Sequence, residues 1–341
     1  MEKILLVFGI DISKDDFHVC AKEKTVDGKV KIRGSRSFSN DAKGFIELAL
    51  WVSKRKKQGS LVRYIMEATG TYYEDLAYYL YEAGNRVSVV LANKIKHFAK
   101  SLNVKTKTDK VDSALIAEIG IEREMPAWMP MTPQYKELRD LCREMLSLKR
   151  EKTRAMCQHH AMSHSHEKTA SVVLIKSAQI EFYRQTIVQI ESEIERIVDA
   201  DIELKQRVEK IKKVKGLGLI TIIIVLCETN GFLLFGNIRQ VVSYAGLDIE
   251  MKESGNYKGK TKISKKGNAR IRQCLFMPAL CAATHNEKIK ELYERITERN
   301  PQIKKKGVVA GMPKLLILIF VLWKKNEEYD PHHEWQKNDI G

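Results

Sequence analysis

The first part of the chain alternates short apolar runs with amphipathic stretches. Five runs have the length and apolar character of strands, at residues 3–12, 17–21, 31–38, 61–67 and 86–91. Three neighbouring strands, followed by alternating helical and strand patterns, predict a mixed sheet with helices on its faces. We therefore expect an α/β domain over residues 1–128.

Two amphipathic patterns between these runs predict helices. The first would begin at Asp41, whose side chain can cap it, and would bury Phe45 and Leu48. The second would begin at Thr71, as a second cap, and would end at Gly84.

A different pattern follows Pro126, Pro130 and Pro133. Apolar residues recur at alternating spacings of four and three at 183, 187, 190, 194 and 197, and 204, 208 and 211 continue the series beyond Asp201. This spacing predicts a heptad seam on one long helix, with the stretch at 138–148 as an antiparallel partner. A hairpin within one chain and an arm that pairs two chains are both open for this region, 129–212.

The third region, residues 213–330, begins with two glycines between helical segments. Gly216 and Gly218 allow a tight turn whose amides can meet a phosphate, as in a helix-hairpin-helix, although an ordinary helix cap is the alternative. A nine-residue apolar run at 315–323 predicts a buried helix, because a membrane span needs about 20 residues. Residues 331–341 form a tail.

Charge adds a polyanionic partner to this picture. The chain carries 59 Lys and Arg against 43 Asp and Glu, a net charge of +16, which nucleic acid would use and a fold does not need. Between 252 and 272 there are many cations and one acid in glycine-rich sequence, which favours phosphate contact. The residues that we expect to bind nucleic acid are Gly216, Gly218, Lys258, Lys260, Lys262, Lys265, Lys266, Arg270 and Arg272.

The six cysteines are scattered and form no Cys-x-x-Cys pair. This spacing argues against a disulfide scaffold or a zinc ribbon. We also find no signal-peptide pattern at the start, so we expect a cytoplasmic, nucleoid-associated protein without a membrane. A cluster of His159, His160, His164 and His166 beside Cys157 is interpreted as a solvated helix end rather than a metal site.

Four acids carry the candidate chemistry. Asp11 and Glu67 end apolar strands, where an isolated carboxylate is costly and needs a partner or a cation. Asp109 and Asp112 stand three residues apart at a helix start and therefore share one face, although Asp109 could instead be the cap. Gathered together, the four would suit Mg²⁺, and two such ions about 4 Å apart can clamp a phosphodiester. In a basic protein this predicts phosphoryl transfer on nucleic acid.

The motifs around these acids resemble a known family. The stretches at 9–14, 66–72 and 107–114 (Gly-Ile-Asp-Ile-Ser-Lys, Met-Glu-Ala-Thr-Gly-Thr-Tyr and Lys-Thr-Asp-Lys-Val-Asp-Ser-Ala) resemble the Asp-Glu-Asp-Asp motifs of the insertion-sequence-110 transposases. The stretches at 214–218, 243–247, 253–255 and 263–268 resemble the second domain of that family. The resemblance covers nearly the whole chain, in the right order.

This resemblance implies a fold and an activity. It implies a RuvC-like (ribonuclease-H-like) N-terminal domain, a coiled-coil middle and a mainly helical C-terminal transposase domain. The protein would insert and excise a bacterial or archaeal mobile element, as a dimer that assembles to a tetramer, with donor and target DNA paired to a noncoding bridge RNA. Asp11, Glu67, Asp109 and Asp112 would bind Mg²⁺, for which Mn²⁺ can substitute.

The resemblance also implies the nucleophile. Ser254 would form a covalent link to a DNA 5′-phosphate, with the serine of one subunit working beside the carboxylates of another. From the residues alone Ser264 is a rival, although it suits a backbone contact or a helix cap before residue 269. Two other functions stay open, a RuvC-like structure-specific endonuclease that uses water and an inert nucleic-acid-binding protein.

Overall fold

The computed structural model describes residues 4–106, 108–167, 169–251, 253–255, 257–259 and 261–332, with Lys258 described by its backbone alone. The chain divides into two compact units, Met1–Pro130 and Met131–Gly341. The boundary falls among the prolines that mark the change of sequence pattern. Lys260 lies outside the described residues.

The first unit contains a five-stranded sheet with helices on both faces. Its strands are β1 (Leu5–Ile12), β2 (Asp16–Lys24), β3 (Val30–Ser39), β4 (Leu61–Glu67) and β5 (Val87–Val90). Its helices are α1 (Ala42–Ser53), α2 (Glu74–Glu82), α3 (Ala92–Ser101) and α4 (Asp109–Glu122). The strand order is β3-β2-β1-β4-β5, with β2 antiparallel to both neighbours and β4 parallel to β1 and β5. The predicted mixed α/β sheet is confirmed.

Alternation along β1 assigns its two faces. Phe8 and Ile10 join a core cluster with residues of α1 and α2, whereas Val7 joins a second cluster with residues of α3 and α4. Successive side chains on a strand point to opposite faces, so Asp11 lies on the same face as Val7, toward α4.

The two predicted helix starts in this unit have different outcomes. Asp41 caps α1, because its Oδ1 accepts a hydrogen bond from the Gly44 amide at 2.8 Å. The prediction that Thr71 caps the next helix is wrong. The chain instead makes consecutive turns over residues 67–74, with Gly70 at φ +55°, so α2 begins only at Glu74 and has no side-chain cap.

The second unit is mainly helical. Its helices are α5 (Pro133–Ser163), α6 (Ala170–Ala200), α7 (Ile202–Lys212), α8 (Leu219–Glu228), α9 (Ile238–Tyr244), α10 (Ala269–His285), α11 (Glu287–Arg299) and α12 (Lys305–Lys325), with a 3-10 turn at Pro301–Ile303. Between α9 and α10 lie four two-residue strands, β6 (Ile249–Glu250), β7 (Glu253–Ser254), β8 (Tyr257–Lys258) and β9 (Lys262–Ile263).

Helices α5 and α6 pack against each other as an antiparallel hairpin within the chain. Lys149 of α5 pairs with Glu191 of α6 at 2.7 Å, and apolar residues of both helices share one core. The hairpin alternative is therefore confirmed, while pairing between chains stays a prediction.

The prediction of one long helix through Asp201 is wrong. Helix α6 ends at Ala200, and Asp201 is extended and caps α7 by accepting from the Leu204 amide at 3.0 Å. After this break, the apolar residues of α7 join the core that contains α8 and α12.

The apolar run at 315–323 lies in α12. This helix is long and apolar enough to cross a membrane, but 61% of its apolar window is buried. It packs against α7, α9, α10 and α11, with Leu315, Leu316 and Ile319 fully buried. The predicted buried helix is confirmed. A helix in the core of a globular unit can be as long and as apolar as one that crosses a membrane.

Candidate active site and nucleic-acid interface

Asp11 and Glu67 lie side by side at one edge of the sheet. Strands β1 and β4 are parallel, and Ile10 is in register with Met66. The next residue on each strand is the acid, and both acids are half-buried. The carboxyl ends of two neighbouring strands therefore bring together two acids that are far apart along the chain.

Helix α4 lies directly on these strands because two glycines allow it. A Cβ on Gly9 of β1 would lie 2.1 Å from the Ala117 nitrogen and 2.3 Å from the Ser113 oxygen. A Cβ on Gly120 would lie 2.8 Å from Val7 Cγ1. The helix therefore runs antiparallel to β1, with residue 120 over Val7 and residues 113–117 over Gly9. Its first turn lies at the end of the sheet that carries Asp11.

That first turn contains Asp109 and Asp112. The cap is Thr108, whose Oγ1 accepts from the Val111 amide at 3.3 Å, so the alternative in which Asp109 is the cap is wrong. Asp109 is exposed and Asp112 is half-buried. The positive end of the helix dipole stabilises both carboxylates, and neither of them is needed to cap the helix.

The backbone thus places all four predicted acids at one end of one sheet. Within the described ranges, however, no three Asp, Glu, His or Cys side chains are grouped so that they could hold a metal ion. The chemistry of the set suits a hard cation, since all the donors are carboxylate oxygens. The magnesium site therefore stays a prediction that requires the four side chains to turn toward one another.

A polar row beside Asp11 was missed by sequence reasoning. His18 of β2 is in register with Asp11 and so shares its face. Its ring nitrogens lie 2.7 Å from the hydroxyl oxygens of Ser37 and Ser35 on β3. The signal was present, because pairing the first two predicted strands antiparallel would have aligned these residues.

Ser254 lies at the tip of a narrow ribbon in the second unit. Strands β6 and β9 pair at its base, and β7 and β8 pair at its tip, where Ser254 is opposite Tyr257. Gly255 makes the turn with φ +54°, a conformation that suits glycine. Ser254 is exposed, as the nucleophile of a macromolecular substrate would have to be, and its role as the nucleophile stays a prediction.

Ser264 has a different position, at the base of the ribbon. Its hydroxyl donates to Asp248 Oδ1 at 2.6 Å and accepts from the Lys266 amide at 3.3 Å. The prediction that it caps the next helix is wrong, because Asn268 caps α10 by accepting from the amides of Arg270 and Ile271. Ser264 is thus occupied in holding the base of the ribbon.

The basic loop before α10 is fixed by a close backbone crossing. A Cβ on Gly267 would lie 2.5 Å from the Gly246 nitrogen, and the Asn268 amide donates to the Tyr244 carbonyl at 2.7 Å. The crossing holds Lys265 at φ +54°, which is uncommon outside glycine and asparagine.

The predicted basic residues differ in how freely they could meet phosphate. Lys265, Lys266, Arg270 and Lys262 are exposed, although Lys266 and Lys262 lie 3.5 and 3.8 Å from Glu250. Arg272 is half-buried and donates to the Ala245 carbonyl at 2.8 Å, so it supports the crossing.

Gly216 and Gly218 form the turn between α7 and α8. Gly216 has φ +103°, and a Cβ there would lie 2.9 Å from the Pro278 oxygen of α10. Gly218 is the extended residue that precedes α8. Packing alone therefore accounts for Gly216, and phosphate binding at this turn stays a prediction.

A buried acid, Glu228, links three helices beneath the basic loop. Its side chain is only 4% exposed, and Arg143 of α5 donates to its two oxygens at 2.7 and 3.1 Å. Asn268 Nδ2 donates to it at 2.7 Å, and the Tyr244 hydroxyl donates to its backbone carbonyl at 2.9 Å. We call these four residues the Glu228 network.

The charge state of Glu228 follows from these partners. Burial by itself raises the pKa of Glu228, but the hydrogen bonds from Arg143 and Asn268 outweigh it and hold the pKa below its ordinary value. The carboxylate therefore stays ionised. Because Asn268 donates to it, the network fixes the amide that caps α10 and so the start of the basic loop.

The cysteine and histidine cluster lies at the end of α5. The His160 and His164 rings are 4.5 Å apart between centroids, and His159 lies 3.3 Å from the Ser177 hydroxyl. Helix α5 ends at Ser163, inside this cluster, and His160 and His164 are exposed, so the cluster does lie at a solvated helix end.

Comparison with protein families covers both units. The family model of DEDD transposases of the IS110 type matches residues 8–163, and the model described as "Transposase IS116/IS110/IS902 family" matches residues 208–294. The chain belongs to the IS110 family of transposases. In this transposase the first match includes the four acids and Arg143, and the second includes Ser254 and the other three residues of the Glu228 network.

Curated relatives of this IS110 transposase align along most of the chain. The pilin gene-inverting proteins of Moraxella bovis and Moraxella lacunata are each 28% identical over 326 residues, 94% of this chain and 97% of theirs. The transposase for insertion sequence element IS1328 of Yersinia enterocolitica is 21% identical over 319 residues, 87% of this chain and 89% of its own. The family thus makes this protein an enzyme that acts on DNA.

Proposed function

We propose that this transposase cuts and rejoins DNA strands through a covalent link to Ser254, beside a magnesium site on a ribonuclease-H-like domain. The strand order β3-β2-β1-β4-β5, with β2 alone antiparallel to β1, supports a RuvC-like N-terminal domain. Two of its relatives are named for pilin gene inversion and for the transposition of an insertion sequence, which supports strand exchange over simple cleavage.

The placement of the four acids is the observation that carries the proposal. Asp11 and Glu67 end adjacent parallel strands, and α4 brings Asp109 and Asp112 to the same end. These carboxylates would hold Mg²⁺, or Mn²⁺ in its place, which neutralises phosphate charge when bound. Four ionised acids at one end of the sheet would repel a DNA backbone without such a cation.

The covalent step conserves the energy of the phosphodiester bond. The Ser254 oxygen attacks phosphorus, and its proton passes to solvent or a base. The P–O3′ bond breaks, and the leaving O3′ takes up a proton from solvent or an acid to become a 3′-hydroxyl. Rejoining reverses this, since a 3′-hydroxyl attacks the phosphoserine and frees the serine. The exposed position of Ser254 near the turn of the ribbon supports a nucleophile that is delivered to its substrate.

Nucleic acid would bind through the basic loop. Its exposed cations, together with the net charge of +16, support binding to donor and target DNA and to a guide-type noncoding RNA. A homodimer that assembles to a tetramer would supply Ser254 from one subunit and the four acids from another. Sequencing the RNA that copurifies with the protein tests the guide. We expect one enriched structured RNA, and a sample that contains nothing but random cellular RNA would contradict a guide.

Trapping the covalent intermediate tests the reaction. Protein purified without nuclease treatment is incubated with Mg²⁺ and a labelled plasmid that carries the DNA flanking its gene, and the mixture is then denatured. We expect a protein–DNA adduct that is lost in Ser254→Ala and in Asp11→Asn. Ser264→Ala is the matched serine control, and it should retain the adduct.

Asp27→Asn is the matched acid control. Asp27 is an exposed acid just after β2, at the end of the β1–β2 pair where Lys24 is in register with Leu5 and therefore opposite to the end that carries Asp11. The Asp27→Asn protein should form the adduct as the wild type does. An adduct that survives Ser254→Ala would remove this serine from the reaction. Nicked DNA without any adduct would support the water-using endonuclease instead.

A further inference from the structure

The tip of the ribbon carries an exposed aromatic ring beside the candidate nucleophile. Tyr257 of β8 is directly opposite Ser254 of β7, and it is 65% exposed. Residues opposite each other in an antiparallel pair project from one face, with Cβ atoms about 4.5–5.5 Å apart. The phenol ring and the serine hydroxyl therefore share one face of the ribbon.

Most of the Tyr257 ring is open to solvent. Within the part of the chain that the structure describes, Tyr257 makes no aromatic or hydrogen-bonded contact. Ile249 and Met251, on the same ribbon, are 62% and 66% exposed. Three apolar side chains are thus presented to solvent on an element too narrow to bury them.

The surroundings of the ring indicate the kind of partner. Lys262, Lys265 and Lys266 are exposed at the base of the ribbon, and Glu250 is the acid that faces two of them. Cations that follow a phosphate backbone, next to an aromatic side chain on which a base can stack, are the usual means of binding single-stranded nucleic acid. A purely apolar protein partner would offer these cations no anionic group.

We propose that Tyr257 stacks on an unpaired DNA base and thereby holds the adjoining phosphate against Ser254. This inference rests on the proposed function of Ser254. A base that stacks on the ring is attached to its own sugar and phosphate. The Cβ atoms of Tyr257 and Ser254 are about 4.5–5.5 Å apart, so the serine hydroxyl lies within one nucleotide's length of the ring. Tyr257 is a positioning residue here, and its own hydroxyl takes no part.

Fluorescence of 2-aminopurine tests stacking without any chemistry. Full-length Ser254→Ala protein is mixed with a single-stranded DNA oligonucleotide that contains 2-aminopurine, whose emission falls when the base stacks. We expect quenching that is lost when Tyr257→Leu is added and retained when Tyr257→Phe is added. Ile175→Ala, which trims an exposed apolar residue of α6, is the control and should quench normally. Equal quenching by the Tyr257→Leu protein would overturn the inference.

The rate of adduct formation tests positioning. With intact Ser254, Tyr257→Leu should slow the adduct about tenfold, equivalent to about 1.4 kcal/mol, while Tyr257→Phe stays near wild type. A Ser254-dependent adduct that forms at the wild-type rate in Tyr257→Leu defeats the stacking proposal alone. No Ser254-dependent adduct in the wild type defeats the proposed function, and the fluorescence result then decides on stacking separately. Quenching by RNA but not by DNA of the same sequence would also overturn the proposal.

Discussion

Removing the charge of Glu228 should destabilise the second unit and disturb the basic loop together. Arg143 now donates to the two carboxylate oxygens of Glu228 at 2.7 and 3.1 Å. In Glu228→Gln one of these oxygens becomes an NH₂ group, which is a donor and cannot accept a hydrogen bond from the guanidinium. The side-chain amide of Asn268 can still donate to the oxygen that remains on the glutamine. The perturbation therefore removes the ion pair while it preserves the shape and most of the packing.

The magnitude follows from burial. Breaking a fully buried ion pair by removing one partner costs about 3–5 kcal/mol. The Arg143 side chain is 37% exposed, whereas that of Glu228 is 4% exposed, so the orphaned guanidinium can regain part of its hydration. We expect a loss of about 2–3 kcal/mol in the free energy of unfolding, or about 5–10 °C in Tm for a unit of this size.

A double-mutant cycle with Arg143→Met isolates the pair. Urea denaturation of the four proteins, followed by far-ultraviolet circular dichroism, should give a coupling energy of about 1.5–3 kcal/mol. DNA affinity, measured by fluorescence anisotropy, should fall with Glu228→Gln, because Asn268, which caps α10, would then donate to a neutral amide oxygen and be held less firmly than by the carboxylate. A coupling energy below about 0.5 kcal/mol would refute the reasoning, since an independent pair is expected to be additive within that margin.

Three further predictions concern caps, pH and the loop crossing. Thr108→Ala should lower the free energy of unfolding by about 1 kcal/mol and speed amide exchange in the first turn of α4. Thr132→Ala is the control and should speed exchange only in the first turn of α5. Unchanged exchange in α4 of the Thr108→Ala protein would contradict the cap. Because the pKa of Glu228 is lowered in the folded state, its stabilisation is present above about pH 4.3 and is lost as the pH falls through the folded-state pKa. Acid titration of Tm should therefore show a shallower acid loss in Glu228→Gln, and parallel curves would contradict this. Gly246→Ala, at φ +65° with a contact at 2.8 Å, should destabilise more than Gly28→Ala, at φ +80° in open space, as judged by urea midpoints.

Local patterns accounted for the sheet and for the acids at its edge. Alternation and apolar runs place β1 and β4, and a residue that ends such a run is recognisable as an edge position. Asp201 illustrates where this reasoning fails, because the heptad spacing persists across a residue that ends one helix and caps the next. Periodicity reports which side of a helix is apolar, and it does not report a break that keeps the register.

Contacts distant in sequence could not be predicted in this way. Glu228 follows an apolar helix, and nothing near it indicates that its partners are 85 residues before it and 40 residues after it. The same holds for the crossing of Gly246 and Gly267, which depends on two loops that meet only in the folded chain. His18 lies between these cases, since strand pairing alone would have aligned it with Asp11.

The close approach at Gly9 has a consequence for judging degenerate copies of such genes. A single methyl group there would have to push the α4 backbone away from the sheet, because the nearest atoms are main-chain atoms that cannot rotate aside. Asp109 and Asp112 lie in the first turn of that helix, so they would move away from Asp11 and Glu67 with it. A copy with alanine at position 9 would still read as intact by its acidic motif, and yet we expect it to be inactive.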